Sequence, residues 1–173
     1  MKKIKILPIS LMMVAVLVIA SVAYASPAAS QNFAAPLSGA EEVPARDTQA
    51  RGVATFKLSQ DGTELSYKLI VANIENVVAA HIHLGAAGTN GGVVVFLYGD
   101  APAGGGRTDG VLAEGTITEA DLINALAGQP LSALIDAMES GNAYVNVHTN
   151  DGVAPTNTGP GDFPGGEIRG QID

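Results

Sequence analysis

The chain contains three histidines and no cysteine. The placement of those histidines is what first suggests a chemistry. His81 and His83 stand two residues apart in Val77–Leu84, where Val78, Ala80, Ile82 and Leu84 alternate with them. Side chains of a strand point to opposite faces in turn. The apolar set therefore takes the core side, and both imidazoles share the other, with Cα atoms about 6–7 Å apart. His148 obeys the same parity in Ala143–Thr149. Ala143, Val145 and Val147 take the core side, and Tyr144, Asn146 and His148 take the outer one. If the two strands are neighbours, three imidazoles converge on one sheet face. Such a set suits a metal ion. Neutral imidazole serves copper, zinc and nickel, copper(II) binds tightest of these, and three nitrogens with a free fourth position also resemble a catalytic zinc arrangement. Copper is thus the expected ion and zinc the alternative.

Other chemistries are excluded by what the chain lacks. Without cysteine there is no thiolate ligand, disulfide or thiol nucleophile. Outside the N-terminal segment the only methionine is Met138, which falls in a helical apolar stripe, so a methionine-rich copper(I) site is not expected. Gly99–Gly110 is glycine-rich but lacks the lysine of a phosphate loop, so no nucleotide is expected. No Ser-His-Asp arrangement is read, because the histidine segments are committed to metal or surface.

Residues near the histidines by strand parity are candidates to orient them. Asn146 and Tyr144 flank His148 on its face. Glu167, Arg169 and Gln171 alternate with Ile168, Gly170 and Ile172. Arg169 is expected to pair with Glu42 or Glu167, or to hold an anion near the metal; a structural ion pair closing the last strand is the alternative.

The elements that must position these residues are short and β-like. Candidate strands are Phe33–Ser38, Gly52–Leu58, Thr63–Ala72, Val77–Leu84, Val93–Tyr98, Val111–Ile117, Ala143–Thr149 and Glu167–Ile172. Asp61-Gly62 marks a hairpin. About eight short strands between turn signals describe an all-β sandwich or barrel. One helical excursion interrupts them. Thr118 reads as an N-cap, Leu122, Ile123 and Leu126 fall at helical spacing, Gly128-Gln129-Pro130 breaks the pattern, and Leu131, Leu134, Ile135 and Met138 resume it. The expected helix spans residues 119–140 and covers an open end of the sandwich.

The first 25 residues have another character. Lys2, Lys3 and Lys5 precede an apolar run from Ile6 to Val22, and Ala23-Tyr24-Ala25 supplies a signal-peptidase pattern before Ser26. This reads as a secretory signal, followed by a linker over 26–32 and one domain over 33–173. The protein is expected to be exported, to a periplasmic, cell-surface or secreted location, with no membrane span after cleavage. Cleavage removes three bases and no acid, which leaves six bases against seventeen acids, a net of −11. So acidic a chain repels nucleic acid and anionic lipid and favours a cationic ligand.

Four pieces of the chain carry a family resemblance. They are Leu37-Ser38-Gly39-Ala40-Glu41-Glu42-Val43-Pro44, His81-Ile82-His83-Leu84-Gly85 with Asn90-Gly91, Gly141-Asn142-Ala143-Tyr144-Val145-Asn146-Val147-His148-Thr149, and Gly166-Glu167-Ile168-Arg169-Gly170-Gln171-Ile172. In this order they resemble the chordin (CHRD) domain, found in microbial exported proteins and in the animal growth-factor antagonist chordin. The resemblance implies a Greek-key, immunoglobulin-like barrel related to copper/zinc superoxide dismutase. The dismutases also place copper on an x-His-x-His strand and on a later strand histidine followed by an acidic, glycine-containing loop. His81, His83 and His148 with Asn150-Asp151-Gly152 look similar. The dismutase's fourth, bridging histidine and its disulfide have no counterpart here, so the likeness implies a mononuclear three-histidine site.

Three functions follow as expectations. The first is copper (or zinc) binding for storage, delivery or redox use. The second is a non-metal extracellular module whose partner is another extracellular protein, as the animal relative implies. The third, ranked last, is a metalloenzyme using the open coordination position.

Overall fold

A computed structural model describes residues 31–99 and 101–173. The signal segment 1–25 and most of the 26–32 linker lie outside the described residues. The eight strands are β1 (Asn32–Ser38), β2 (Arg51–Leu58), β3 (Leu65–Glu75), β4 (Val77–Leu84), β5 (Val93–Tyr98), β6 (Arg107–Ile117), β7 (Ala143–Thr149) and β8 (Ile168–Gln171), with one α-helix, α1 (Leu131–Glu139). The expected all-β architecture is what forms.

All strand pairings are antiparallel, in the order β5-β4-β7-β8-β1-β2-β3-β6. Chain neighbours pair at β1-β2-β3 and β4-β5, while β6 returns to β3 and β7 returns to β4. This is a Greek-key winding. The single sheet curls until its ends approach: the Tyr67 hydroxyl on β3 donates to Leu97 O on β5 at 2.8 Å. The other narrow place is the β1–β8 seam. Its only register pair is Ser38 with Arg169, reinforced by reciprocal backbone bonds between Ala34 and Asp173 at 2.8 and 3.1 Å.

Inside the barrel lies one apolar core. Ala35, Ala54, Leu65, Leu69, Ile74, Ala80, Ile82, Val145, Val147 and Ile168 are among its fully enclosed members. Alternation supplies them, as period-2 patterning requires. The hairpin at Asp61-Gly62 is present, with Gly62 at φ +73° and Asp61 accepting from Ser59 and Thr63.

Two strands run more than one residue beyond their expected bounds. β3 continues to Glu75 and β6 begins at Arg107 because Asn73 (φ +54°) and Gly110 (φ +105°) do not end them. The register shifts between Val71 and Ile74 instead. These are bulges, which absorb a left-handed residue without breaking the ladder. Another shift, between Val77 and Ala79, puts Val77 rather than Val78 into the core. The last strand is shorter than expected and starts at Ile168, after Gly166 at φ +123°.

The helical excursion is broken into pieces. Two 3-10 turns, Glu119–Asp121 and Asn124–Leu126, precede α1. Thr118 and Asp121 form a capping box. Pro130 then precedes the true helix, whose Leu131, Leu134, Ile135 and Met138 are buried. That stripe joins the core, so the segment serves as the expected cover.

Candidate metal centre

β4 and β7 are hydrogen-bonded neighbours, with Ala79 opposite His148, His81 opposite Asn146 and His83 opposite Tyr144. His81 is therefore diagonal to His148 and two residues from His83 on one face. Their ligand nitrogens all lie within 4.8 Å of one another, and among the described residues these three form the only group of three or more His, Cys, Asp or Glu so placed. The strand adjacency on which convergence depended is present.

That face is not a solvated one. His83 is 8 % exposed, Tyr144 and Asn146 are buried, and His81 and His148 are half-buried. Three segments cover them: the loop between β4 and β5, the stretch from Gly39 to Thr48, and the loop entering β8. The three histidines share one face as strand parity predicts, although Val77 and not Val78 takes the core side of β4. The roof over that face is a contact between segments distant in sequence, which parity does not encode.

The roof fixes the imidazoles. The His83 Nδ1–H donates to Gly91 O at 3.0 Å, and the His148 Nδ1–H donates to Pro164 O at 2.9 Å. Each bond leaves Nε2 of a neutral ring with a bare lone pair. His83 Nε2 is buried and has no hydrogen-bond partner. His148 Nε2 lies 3.1 Å from His81 Nδ1. Two nitrogens each about 2.0–2.1 Å from one ion stand about 2.9–3.4 Å apart at bond angles of about 90–109°, so this spacing fits shared ligation. Backbone carbonyls receiving the far N–H are the usual outer partners of a metal-bound histidine.

The electrostatics keep the rings neutral. His81 is pushed down to about 4 by burial first, then by His148 and His83. Burial also lowers His83 and His148, and their bonds to Gly91 and Pro164 offset part of that. Neutral imidazoles are the ligating form.

The surrounding candidates divide. The Tyr144 ring stacks on His83, with centroids 4.9 Å apart and planes at 12°. The Asn146 Nδ2 donates to Glu42 at 2.9 and 3.1 Å, tying the first covering segment to the histidine strand. Arg169 makes neither expected ion pair; its guanidinium bonds to Asn90 Oδ1, Ala86 O and Thr89 O instead. Glu167 is fully buried and accepts from Thr48 Oγ1 (2.6 Å), Thr149 Oγ1 (2.7 Å) and Gly161 N (2.9 Å). It contacts no histidine by hydrogen bond, because it precedes β8 and escapes that strand's alternation. It clamps the covering loops. Phe96, 58 % exposed, sets its edge against His81 at 4.8 Å. Sequence reasoning missed Phe96, Gly91 and Pro164. The last two act through carbonyls, which no residue type betrays.

Glu42 has an opposite titration. Burial pushes it up to about 7, against the lowering effects of Asn146, Arg169 and Arg46. A raised carboxyl contributes stability below its unfolded value near 4.5, lost as pH rises through 7. The histidines, lowered in the fold, contribute stability above about 6.5 that is lost as pH falls below it, in the case of His81 down to about 4. The two trends oppose each other between about pH 4.5 and 6.5, so Glu42 offsets part of the stability that the histidines lose there without metal. Glu42→Gln removes one trend, and urea titrations at a series of pH values should show that variant losing stability more steeply on acidification. Equal slopes for the two proteins would contradict this assignment.

The model of the CHRD domain family matches residues 33–172. No curated protein and no solved structure matches the chain.

Proposed function

The chain belongs to the CHRD domain family, and within that fold we propose that it is an exported protein holding one metal ion, copper before zinc, through His81, His83 and His148. The observation that carries this reading is the bare, buried Nε2 of His83 beside the 3.1 Å pair of His81 Nδ1 and His148 Nε2. A buried polar atom without a partner costs about 1–3 kcal/mol, and an ion bound by all three nitrogens removes that cost. Every donor in the set is a neutral nitrogen, the chain has no thiolate, and its one methionine outside the N-terminal segment, Met138, is enclosed in the core. Such a set favours copper on the order of divalent affinities. Tyr144 and the carbonyls of Gly91 and Pro164 orient the ligands, and Asn146 ties Glu42 to the strand that carries His148.

Three ligands leave room for a further one, which suits storage and delivery, where an ion must be passed on. The N-terminal pattern supports an extracytoplasmic location, and the acidity of the chain supports a cationic ligand. The test is to recover the protein from the exported fraction of copper-supplied cells. Intact mass should place its N-terminus at Ser26, and elemental analysis should find about one copper per chain. Folded protein that takes up neither copper nor zinc on titration would overturn the proposal.

A further inference from the structure

Arg169 is 1 % exposed and the largest fully buried side chain among the described residues. No carboxylate lies within ion-pair distance of it among those residues; the only salt bridges there are Lys68–Glu114 and Arg107–Asp109. A buried cation is costly to desolvate, and Glu42 acts on it only from beyond ion-pair distance, so its nearer neighbours matter. Its guanidinium lies 3.5 Å from the centroid of the Tyr144 ring. Tyr144 stacks on His83 with its rings nearly parallel. The three side chains form a column of guanidinium, phenol and imidazole that runs outward from β8 through β7 to β4.

The column is tied to one loop at three levels. Arg169 Nη2 donates to Ala86 O at 3.1 Å and Thr89 O at 3.0 Å, and Nη1 donates to Asn90 Oδ1 at 3.3 Å. The Tyr144 hydroxyl accepts from Gly91 N at 3.0 Å. The His83 Nδ1–H donates to Gly91 O. The Gly91 carbonyl sets the His83 tautomer, and Arg169 holds the loop that carries it.

From this connected geometry we infer that Arg169 is a positioning residue for the metal centre: through the Tyr144 stack and the 86–91 loop it locks His83 in the Nδ1–H tautomer with Nε2 aimed at the ion. Lysine cannot replace it. A lysine ammonium lacks the planar fork that spans two carbonyls and an amide, and it does not stack flat on a ring. The consequence for metal rests on the proposed three-histidine site; the tautomer does not, so the two can fail separately.

The experiment uses the full mature chain as wild type, Arg169→Lys and Asn90→Ala. Asn90 is exposed, and its side chain links Arg169 to Val43 O, so that variant keeps the fold if Arg169→Lys does not. Imidazole nitrogen NMR of metal-free protein near pH 7.5 should show wild-type His83 as the Nδ1–H form and both variants as tautomer mixtures. Competition titration with copper should show affinity about 10–100-fold lower for Arg169→Lys and several-fold lower for Asn90→Ala. If Arg169 only fills space, Arg169→Lys will lower the melting temperature equally with and without metal, leaving tautomer and affinity unchanged. That result, or a folded Asn90→Ala identical to wild type in both readouts, overturns the inference. Wild type that binds neither copper nor zinc yet shows the locked tautomer, lost in both variants, refutes the metal reading and leaves standing only Arg169's hold on the His83 tautomer.

Discussion

Replacing His148 with alanine should lower copper affinity by about two to three orders of magnitude. Structural zinc sites with four ligands bind with roughly 10–16 kcal/mol, so each ligand carries about 2.5–4 kcal/mol, and each 1.4 kcal/mol is tenfold. His148 is the hinge of the set, since its Nε2 faces His81 Nδ1 at 3.1 Å. His81→Ala and His83→Ala should lose comparable affinity, and the triple variant should bind no better than unfolded chain. Bound metal also stabilises the fold by mass action, about 2.7 kcal/mol at a hundredfold excess over Kd. For a domain of this size that raises the melting temperature on the order of 10 °C, and all three variants should lose the increment. Without metal they should differ. His81 is half-buried, and its removal leaves His148 Nε2 without its 3.1 Å neighbour, at about 0.5–1.5 kcal/mol. His83→Ala leaves Gly91 O without its donor and the Tyr144 ring without its stack, at about 1–2 kcal/mol. Scanning calorimetry with and without copper separates these outcomes. A triple variant stabilised by copper as much as wild type would sink the site.

Gly170→Ala should destabilise the protein by about 3 kcal/mol, at the upper end for overpacking. Gly170 sits in β8 at the narrow seam with β1. A Cβ there would clash with Pro36 O, lie 2.7 Å from the Pro36 carbonyl carbon and meet Leu37 Cα at 3.3 Å. These are backbone atoms of the facing strand and cannot swing aside. The seam rests on one register pair and the Ala34–Asp173 bonds, so a clash there opens a join that few ladder bonds hold closed. Against a typical total of about 5–15 kcal/mol, such a loss is large. Urea unfolding of metal-free protein measures it; a midpoint unchanged from wild type would mean that β1 and β8 do not close as described. The neighbouring Arg169 should be displaced too, so copper affinity should fall alongside stability.

The residues that could bind metal were legible in the chain itself, and so were the strands that carry them. Val77–Leu84, Val93–Tyr98 and Ala143–Thr149 have the bounds that alternation and flanking turn residues predict. The side of each strand on which His81, His83 and His148 project follows from period-2 geometry, a property of a few consecutive residues. The Thr118–Asp121 capping box and the break at Pro130 are local in the same sense. Bulges were not legible: Asn73 and Gly110 look like strand ends, and only pairing with the partner strand lets the ladder continue past them. The same holds for everything that turns three histidines into a site. That β4 lies beside β7 is a pairing of segments some 60 residues apart, chosen by closure of the whole barrel. That the outer face is roofed depends on loops arriving from three directions. The donor orientation rests on Gly91 O and Pro164 O, and Arg169 meets carbonyls rather than the carboxylates its charge suggested. Side-chain type records which groups can react; backbone carbonyls are common to every residue, so which of them meet a given N–H is decided only when distant segments are brought together.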